Sequence, residues 1–236
     1  MLGEVSERPE FCEAMLEAFA PDKDGSLKPF YDALNTIEFS TVTRPQKCKL
    51  EHQTMRYLEH LKLDAFDTRF ARAAEDLDWS QIYEGGGLNQ DLAEGMLAAQ
   101  CVGTYGRHPS DKVATGLFLL APDIHYPLHT HAASEVYLCV SGRLQLRHGM
   151  NGAPFEIRQS ELSITPSGRV HELKTYSQPV LLAYLWIGDL TAPTWWWEQT
   201  SNDTWQRVSW TRIPGEPWKQ IGVEPLSQRD IQKANA

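Results

Sequence analysis

Hydrophobic positions change their period part-way along the chain. Up to about residue 100 they recur every three or four residues, as on one face of a helix. FCEAMLEAFA places Phe11, Met15 and Phe19 together, and TMRYLEHLKL places Met55, Leu58 and Leu61 together. DAFDTRFARAAEDL opens with Asp64 as an N-cap and stacks Phe66, Phe70 and Ala74. After the breaker EGGGLNQ, the stretch DLAEGMLAAQ predicts one more helix over Asp91–Gln100.

Beyond residue 105 the period drops towards two. VATGLFLL, EVYLCVS, RLQLRH, PFEIRQ, ELSITP, RVHELK and VLLAYLWI are short, β-rich runs separated by turn residues. MNGAP at Met150–Pro154 is a hairpin turn signal. Many short strands at regular spacing predict a small sandwich or barrel over residues 106–236. Residues 1–105 then form a helical extension packed on it. The tail carries Trp195–Trp197 and further tryptophans, so it is expected to pack back on the strands or form an oligomer contact.

Composition narrows the function. A net charge of −9 argues against nucleic acid or an anionic membrane as partner. Four cysteines without a CxxC pair read as reduced, buried thiols. The acidic start lacks an apolar leader, and no run reaches transmembrane length, so a cytoplasmic protein is expected.

One stretch, HYPLHTHAASEVYLCVSG over His125–Gly142, carries the chemistry. Residues two apart in a strand face the same side. His129, His131, Glu135 and Tyr137 share one parity, with Leu138 and Val140 on the other. Such a polar set fills a core poorly, because each group needs a partner, but it is good metal chemistry. PSGRVH supplies a third imidazole, His171. Three His and one Glu suit one divalent transition metal, whether Zn, Mn, Fe, Ni or Co, with positions left open for substrate. Tyr126 has the opposite parity to His129, so both enter one cavity only if the chain bends at Pro127. His125 reads as a rim residue, and His148, beside the hairpin turn, as exposed.

These residues resemble the cupins. HTHAASEVYLCVSG matches HxHxxxE followed by six residues and Gly, and PSGRVH matches PxGxxH. Two edge positions differ: Asp123 stands where Gly is expected, and Thr175 where Asn is expected. The resemblance covers roughly residues 110–190 and implies a mainly β, single-domain cupin β-barrel. More narrowly, Tyr137 after the ligand Glu, Tyr126-Pro before the first His, and Trp186 fifteen residues after His171 resemble the cupin-type dimethylsulfoniopropionate (DMSP) lyases of the DddL, DddQ and DddK kind. The length is similar to the DddL-like branch.

That resemblance implies a bacterial carbon–sulfur lyase cleaving DMSP to dimethyl sulfide and acrylate by β-elimination. His129, His131, Glu135 and His171 would hold the metal, and Tyr137 would be the base beside it, with Tyr126 a second candidate. Trp186, Tyr126 and Tyr184 would form an aromatic pocket for the sulfonium. Packing at the barrel mouth is the other reading of Tyr137. A metal-dependent dioxygenase uses the same ligands, and a non-enzymatic binding cupin is a second rival. A homodimer would suit the exposed tryptophans.

Overall fold

The computed structural model describes residues 7–20, 24–40, 56–61, 67–85, 87–201, 204–212 and 216–234. Among the described residues the chain opens with helices that include α1 (Glu10–Phe19), α2 (Lys28–Asn35) and α3 (Thr68–Asp76). The expected faces form. Phe11, Met15 and Phe19 of α1 and Phe70 and Ala74 of α3 are buried, with the Phe11 and Phe70 rings edge to face at 5.7 Å. The cap of α3 is Asp67, whose carboxylate accepts from the Arg69 amide at 2.9 Å. Met55, Asp64 and Phe66 lie outside the described residues.

Strands β1 (Trp79–Gln81), β2 (Met96–Val102), β3 (Val113–Leu120), β5 (Ala133–Ser141), β8 (Leu162–Thr165) and β10 (Val180–Gly188) form one sheet, ordered β1-β2-β3-β10-β5-β8. The other contains β4 (His125–Thr130), β6 (Arg143–His148), β7 (Phe155–Arg158), β9 (His171–Thr175), β11 (Thr194–Ser201), β12 (Thr204–Arg212) and β13 (Trp218–Pro225). Its order is β13-β12-β11-β4-β9-β6-β7, and every pairing within both sheets is antiparallel. A last helix, α5 (Gln228–Ala234), follows.

Two cores explain the layering. The outer face of the six-stranded sheet, with Leu97, Leu117, Leu138 and Leu181, packs on the helices through Phe11, Met15, Leu34 and Phe70. Its inner face, with Phe118, Tyr137 and Leu182, packs on the second sheet through Leu144, Leu173, Trp196 and Trp210. Alternation along β5 and β10 decides which side chain serves which core, as the period-two reading requires. The fold is thus mainly β, two facing antiparallel sheets with a helical layer outside one of them.

One helix is corrected. Over Asp91–Gln100 the helical part is only α4 (Gln90–Glu94), and β2 starts at Met96. Met, Leu and Ala are good helix formers, which made the stretch look helical. Gly95 ends the turn, and β2 then buries Leu97, Ala99 and Cys101 under the helices. Tertiary burial on both faces overrides local propensity. Residues 79–102 therefore contribute two strands, and the tryptophan tail contributes β11–β13.

Cys12, Cys101 and Cys139 are buried free thiols, and Cys48 lies outside the described residues. Among the described residues no helix is long and apolar enough to cross a membrane.

Gly116 marks a tight place in this sheet. It pairs with Gln100 of β2 and Tyr184 of β10. A Cβ there would meet the Ala99 carbonyl oxygen at 2.1 Å and Gln100 Cα at 2.8 Å. Backbone cannot swing away as a side chain can. Gly116→Ala should cost about 1–3 kcal/mol, read as a lower urea midpoint; an unchanged midpoint would show that β2 moves freely.

Candidate active site

The candidate ligands come from adjacent strands of the second sheet and from β5 of the first. His129 on β4 pairs directly with His171 on β9. His131 follows β4, and Glu135 lies on the inner face of β5 opposite Trp186. Between Tyr126↔Leu173 and His129↔His171, β4 uses one residue more than β9. This bulge at Pro127 turns both Tyr126 and His129 inward, the bend that their opposite parity demands. Their rings stack at 3.7 Å.

The two departures from the cupin motifs meet at one turn. Asp123 has a φ of 57°, so a left-handed position is kept by a residue that tolerates it. Thr175 Oγ1 donates to the Ala121 carbonyl at 2.7 Å and accepts from the Ile124 amide at 2.8 Å. The hydroxyl ties down the same turn from β9.

Each histidine is oriented from behind. Nδ1 of His129 lies 2.7 Å from the Pro127 carbonyl, that of His131 2.8 Å from Ala133 O, and that of His171 3.0 Å from Arg169 O. A carbonyl only accepts, so each Nδ1 carries the hydrogen and each Nε2 presents a lone pair. One ring nitrogen of each histidine lies within 4.8 Å of the others'. Glu135 Oε2 lies 3.4 Å from His131 Nε2 and 3.5 Å from His171 Nε2. All three atoms are buried and have no hydrogen-bond partner among the described residues. Lone pairs and a carboxylate facing one another in a dry interior need a positive charge among them. The donor set therefore fits a divalent cation, with backbone carbonyls fixing each imidazole as metal sites require.

Burial pushes the Glu135 carboxyl up, whereas an N–H or positive charge at the His131 and His171 nitrogens beside it holds the group below the ordinary carboxylate range. With both Nε2 atoms bare, that pull would have to come from a bound cation. Burial, then the other histidines, push His129 well below its ordinary value; burial lowers His171 as well.

Beside this cluster lies a cavity of about 100 Å³ between the sheets. That is small against the roughly 300–1,000 Å³ of drug-sized sites. Glu135, Tyr126, Tyr137, Tyr184 and Trp186 all line it. Trp186 donates its indole N–H to Glu135 and stacks on the His131 ring at 4.3 Å. Tyr184 pairs across strands with Tyr137, and Gln100 donates to its hydroxyl at 3.4 Å. Burial, then the charge of Glu135, push the Tyr137 phenol well above its ordinary value. Burial, then Tyr83, do the same to Tyr126, and burial pushes Tyr184 up to about 12.

Other lining residues went unrecognised in the sequence: Tyr83, Gln100, Phe118, Arg212 and Trp218. They lie far apart along the chain, and no motif or local period connects them. His148 is corrected: it is half-buried, directly opposite His171 on the neighbouring strand, with Nε2 3.2 Å from Thr165 Oγ1. Its inward parity on β6, shared with Leu144 and Leu146, was the available signal. His125 is exposed and faces Glu172 at 3.0 Å.

A two-sheet antiparallel fold with a buried histidine triad able to hold a metal ion defines a protein of the cupin class. The chain belongs to the dimethylsulfoniopropionate lyase family, which matches residues 33–182, more than half its length. It is 30% identical over 126 residues to the DMSP lyase DddQ of Ruegeria pomeroyi, spanning 52% of this chain and 62% of that one. It is also 30% identical over 120 residues to DddL of Cereibacter sphaeroides, spanning 50% of this chain and 49% of that one. The chain thus spans about half to three fifths of these curated relatives. The crystal structure of DddQ from R. pomeroyi superposes with a TM-score of 0.62 at 20% identity, covering 79% of this chain and 96% of that one. A structure from work on the DMSP lyases RdDddP and RnDddQII gives 0.57 at 19%, covering 83% and 100%. These structural likenesses show a shared fold.

The depressed histidines give a pH prediction for the chelated protein. His129 and His171 titrate below their ordinary value, and burial lowers His148 to about 4. Below about pH 6.5 the unfolded chain therefore binds more protons than the folded one. From pH 7 to pH 5 the melting temperature should fall by a few degrees; a rise would show that these rings are not held neutral.

Proposed function

We propose that this protein is a metal-dependent lyase that cleaves DMSP to dimethyl sulfide and acrylate. His129, His131, Glu135 and His171 would hold one divalent transition metal, whether Zn, Mn, Fe, Ni or Co. The observation that carries the reading is the union of two features in one small cavity. Buried ligand atoms, unpartnered among the described residues, converge behind Glu135 in its wall, and phenols and indoles surround the space beside it. Membership of the DMSP lyase family supports it.

The reaction is a β-elimination. A base removes a proton from the carbon next to the carboxylate. That electron pair forms the double bond of acrylate, and the carbon–sulfur pair leaves with neutral dimethyl sulfide. The bound cation would draw charge from the carboxylate, acidify the α-proton, and oppose the effect of Glu135 on the nearby phenol.

The rest falls to the chain. Tyr137, on the same strand face as Glu135, is the proposed base. Tyr126, which lines the cavity, would help bind substrate. Trp186, Tyr184 and Tyr126 offer aromatic faces to the sulfonium, a cation that makes no hydrogen bond and is well served by π-faces. The apolar wall excludes water, which strengthens every charge interaction inside. The same ligands serve a dioxygenase; the aromatic cavity with a phenol beside Glu135 favours the lyase.

Metal-loaded protein given DMSP should release dimethyl sulfide and acrylate in equal amounts, and chelation should abolish both. Oxygen uptake without dimethyl sulfide would overturn the lyase in favour of the dioxygenase. Tyr137→Phe should lower kcat by about 100-fold or more, with metal content unchanged. Full turnover in this variant would remove Tyr137 as base and leave Tyr126.

A further inference from the structure

The ligand set spans the space between the two sheets. Glu135 stands on β5 of the six-stranded sheet and His171 on β9 of the other, with 3.5 Å between Glu135 Oε2 and His171 Nε2. Each has a polar residue directly across from it on the next strand. Thr165 of β8 pairs with Glu135, and His148 of β6 pairs with His171. Residues paired across antiparallel strands point to the same face. Thr165 and His148 therefore face one another between the sheets, as the two ligands do. They meet: His148 Nε2 and Thr165 Oγ1 share a hydrogen bond of 3.2 Å.

The four side chains close a square. Two of its sides are strand pairings, and the third is the hydrogen bond between the sheets. The fourth is the gap between Glu135 and His171 where a cation fits. The hydrogen bond is sheltered. Thr165 is fully buried, and the Phe155 ring lies edge to face against His148 at 5.1 Å. His148 is not among the three histidines whose nitrogens converge, so its part is not that of a ligand. Glu135 Oε2 and His171 Nε2 are both acceptors, and without a cation they press the sheets apart at this point. A hydrogen bond one strand away in each sheet opposes that opening.

We propose that His148 and Thr165 are positioning residues, a clasp between the sheets that sets the distance from Glu135 to His171 and so the fit of the metal. This rests on the metal reading of the site and is independent of the reaction that the metal serves.

The test is titration of Co²⁺ into the chelator-stripped protein, read by calorimetry and by the visible absorption of the bound ion. Melting temperatures are taken with and without Co²⁺. Thr165→Val keeps the branched shape and removes the hydroxyl. Co²⁺ should bind roughly three- to tenfold more weakly, less than the loss typical of a group bonded to a ligand itself. Its absorption should also change, because Glu135 and His171 no longer hold their separation. Thr165→Ser keeps the hydroxyl and should bind close to wild type. His148→Leu should weaken Co²⁺ as Thr165→Val does, and it carries the test if Thr165→Val does not fold. Adding Thr165→Val to His148→Leu should cost nothing further. A merely structural role would lower both melting temperatures equally and leave Co²⁺ affinity and absorption as in the wild type, which would overturn the clasp. Equal weakening by Thr165→Ser and Thr165→Val would also overturn it, as would full additivity in the double variant. Wild-type protein that binds no Co²⁺ removes the metal reading and the clasp with it, whereas wild-type binding with unaltered variants removes the clasp alone.

Discussion

Four acceptor groups meet in the interior of this protein, and the rest of the molecule is arranged around that confrontation. His129, His131 and His171 have their Nδ1 atoms facing backbone carbonyls, so their other nitrogens converge as lone pairs. Glu135 brings a carboxylate to two of them. In a dry core such a meeting is unfavourable without a cation, and leaving any one group unpaired costs more than a lost hydrogen bond. A fold that tolerates it must be held together elsewhere.

The two cores supply that hold. The helices bury one face of the six-stranded sheet, and the second sheet buries the other. This fixes β5 and β10 so that Glu135 faces Trp186 across the strands and Tyr137 faces Tyr184. The tryptophan tail does the same from the other side: β11 sets Trp196 opposite His129. One bulge in β4 lets Tyr126 join the site despite its parity. Rigid strands, not loops, carry most of the groups, which suits a site whose geometry must not relax.

Local pattern made part of this legible. Period-two alternation separated the Glu135 and Tyr137 face from the Leu138 and Val140 face. The histidine spacing located the triad. What local pattern could not supply was burial by distant chain. β2 reads as helix because its residues favour helix, and only the helices above it and the second sheet below make it a strand. Tyr83 and Trp218 reach the cavity through a parallel bridge between residues far apart in sequence. His148 looked exposed because the adjacent turn was more conspicuous than its place in the strand. Asp123 and Thr175 depart from the family motif yet keep its physics, one by tolerating a positive φ and the other by a hydroxyl in place of an amide.

The most direct test of the central claim is a titration of divalent metal into chelator-stripped protein, followed by both heat and melting temperature. The account requires one equivalent bound per chain with a marked rise in melting temperature, because a ligand that binds only the folded state stabilises it. His171→Ala should lose both. Saturating amounts of Zn, Mn, Fe, Ni and Co that neither bind nor stabilise would contradict the account.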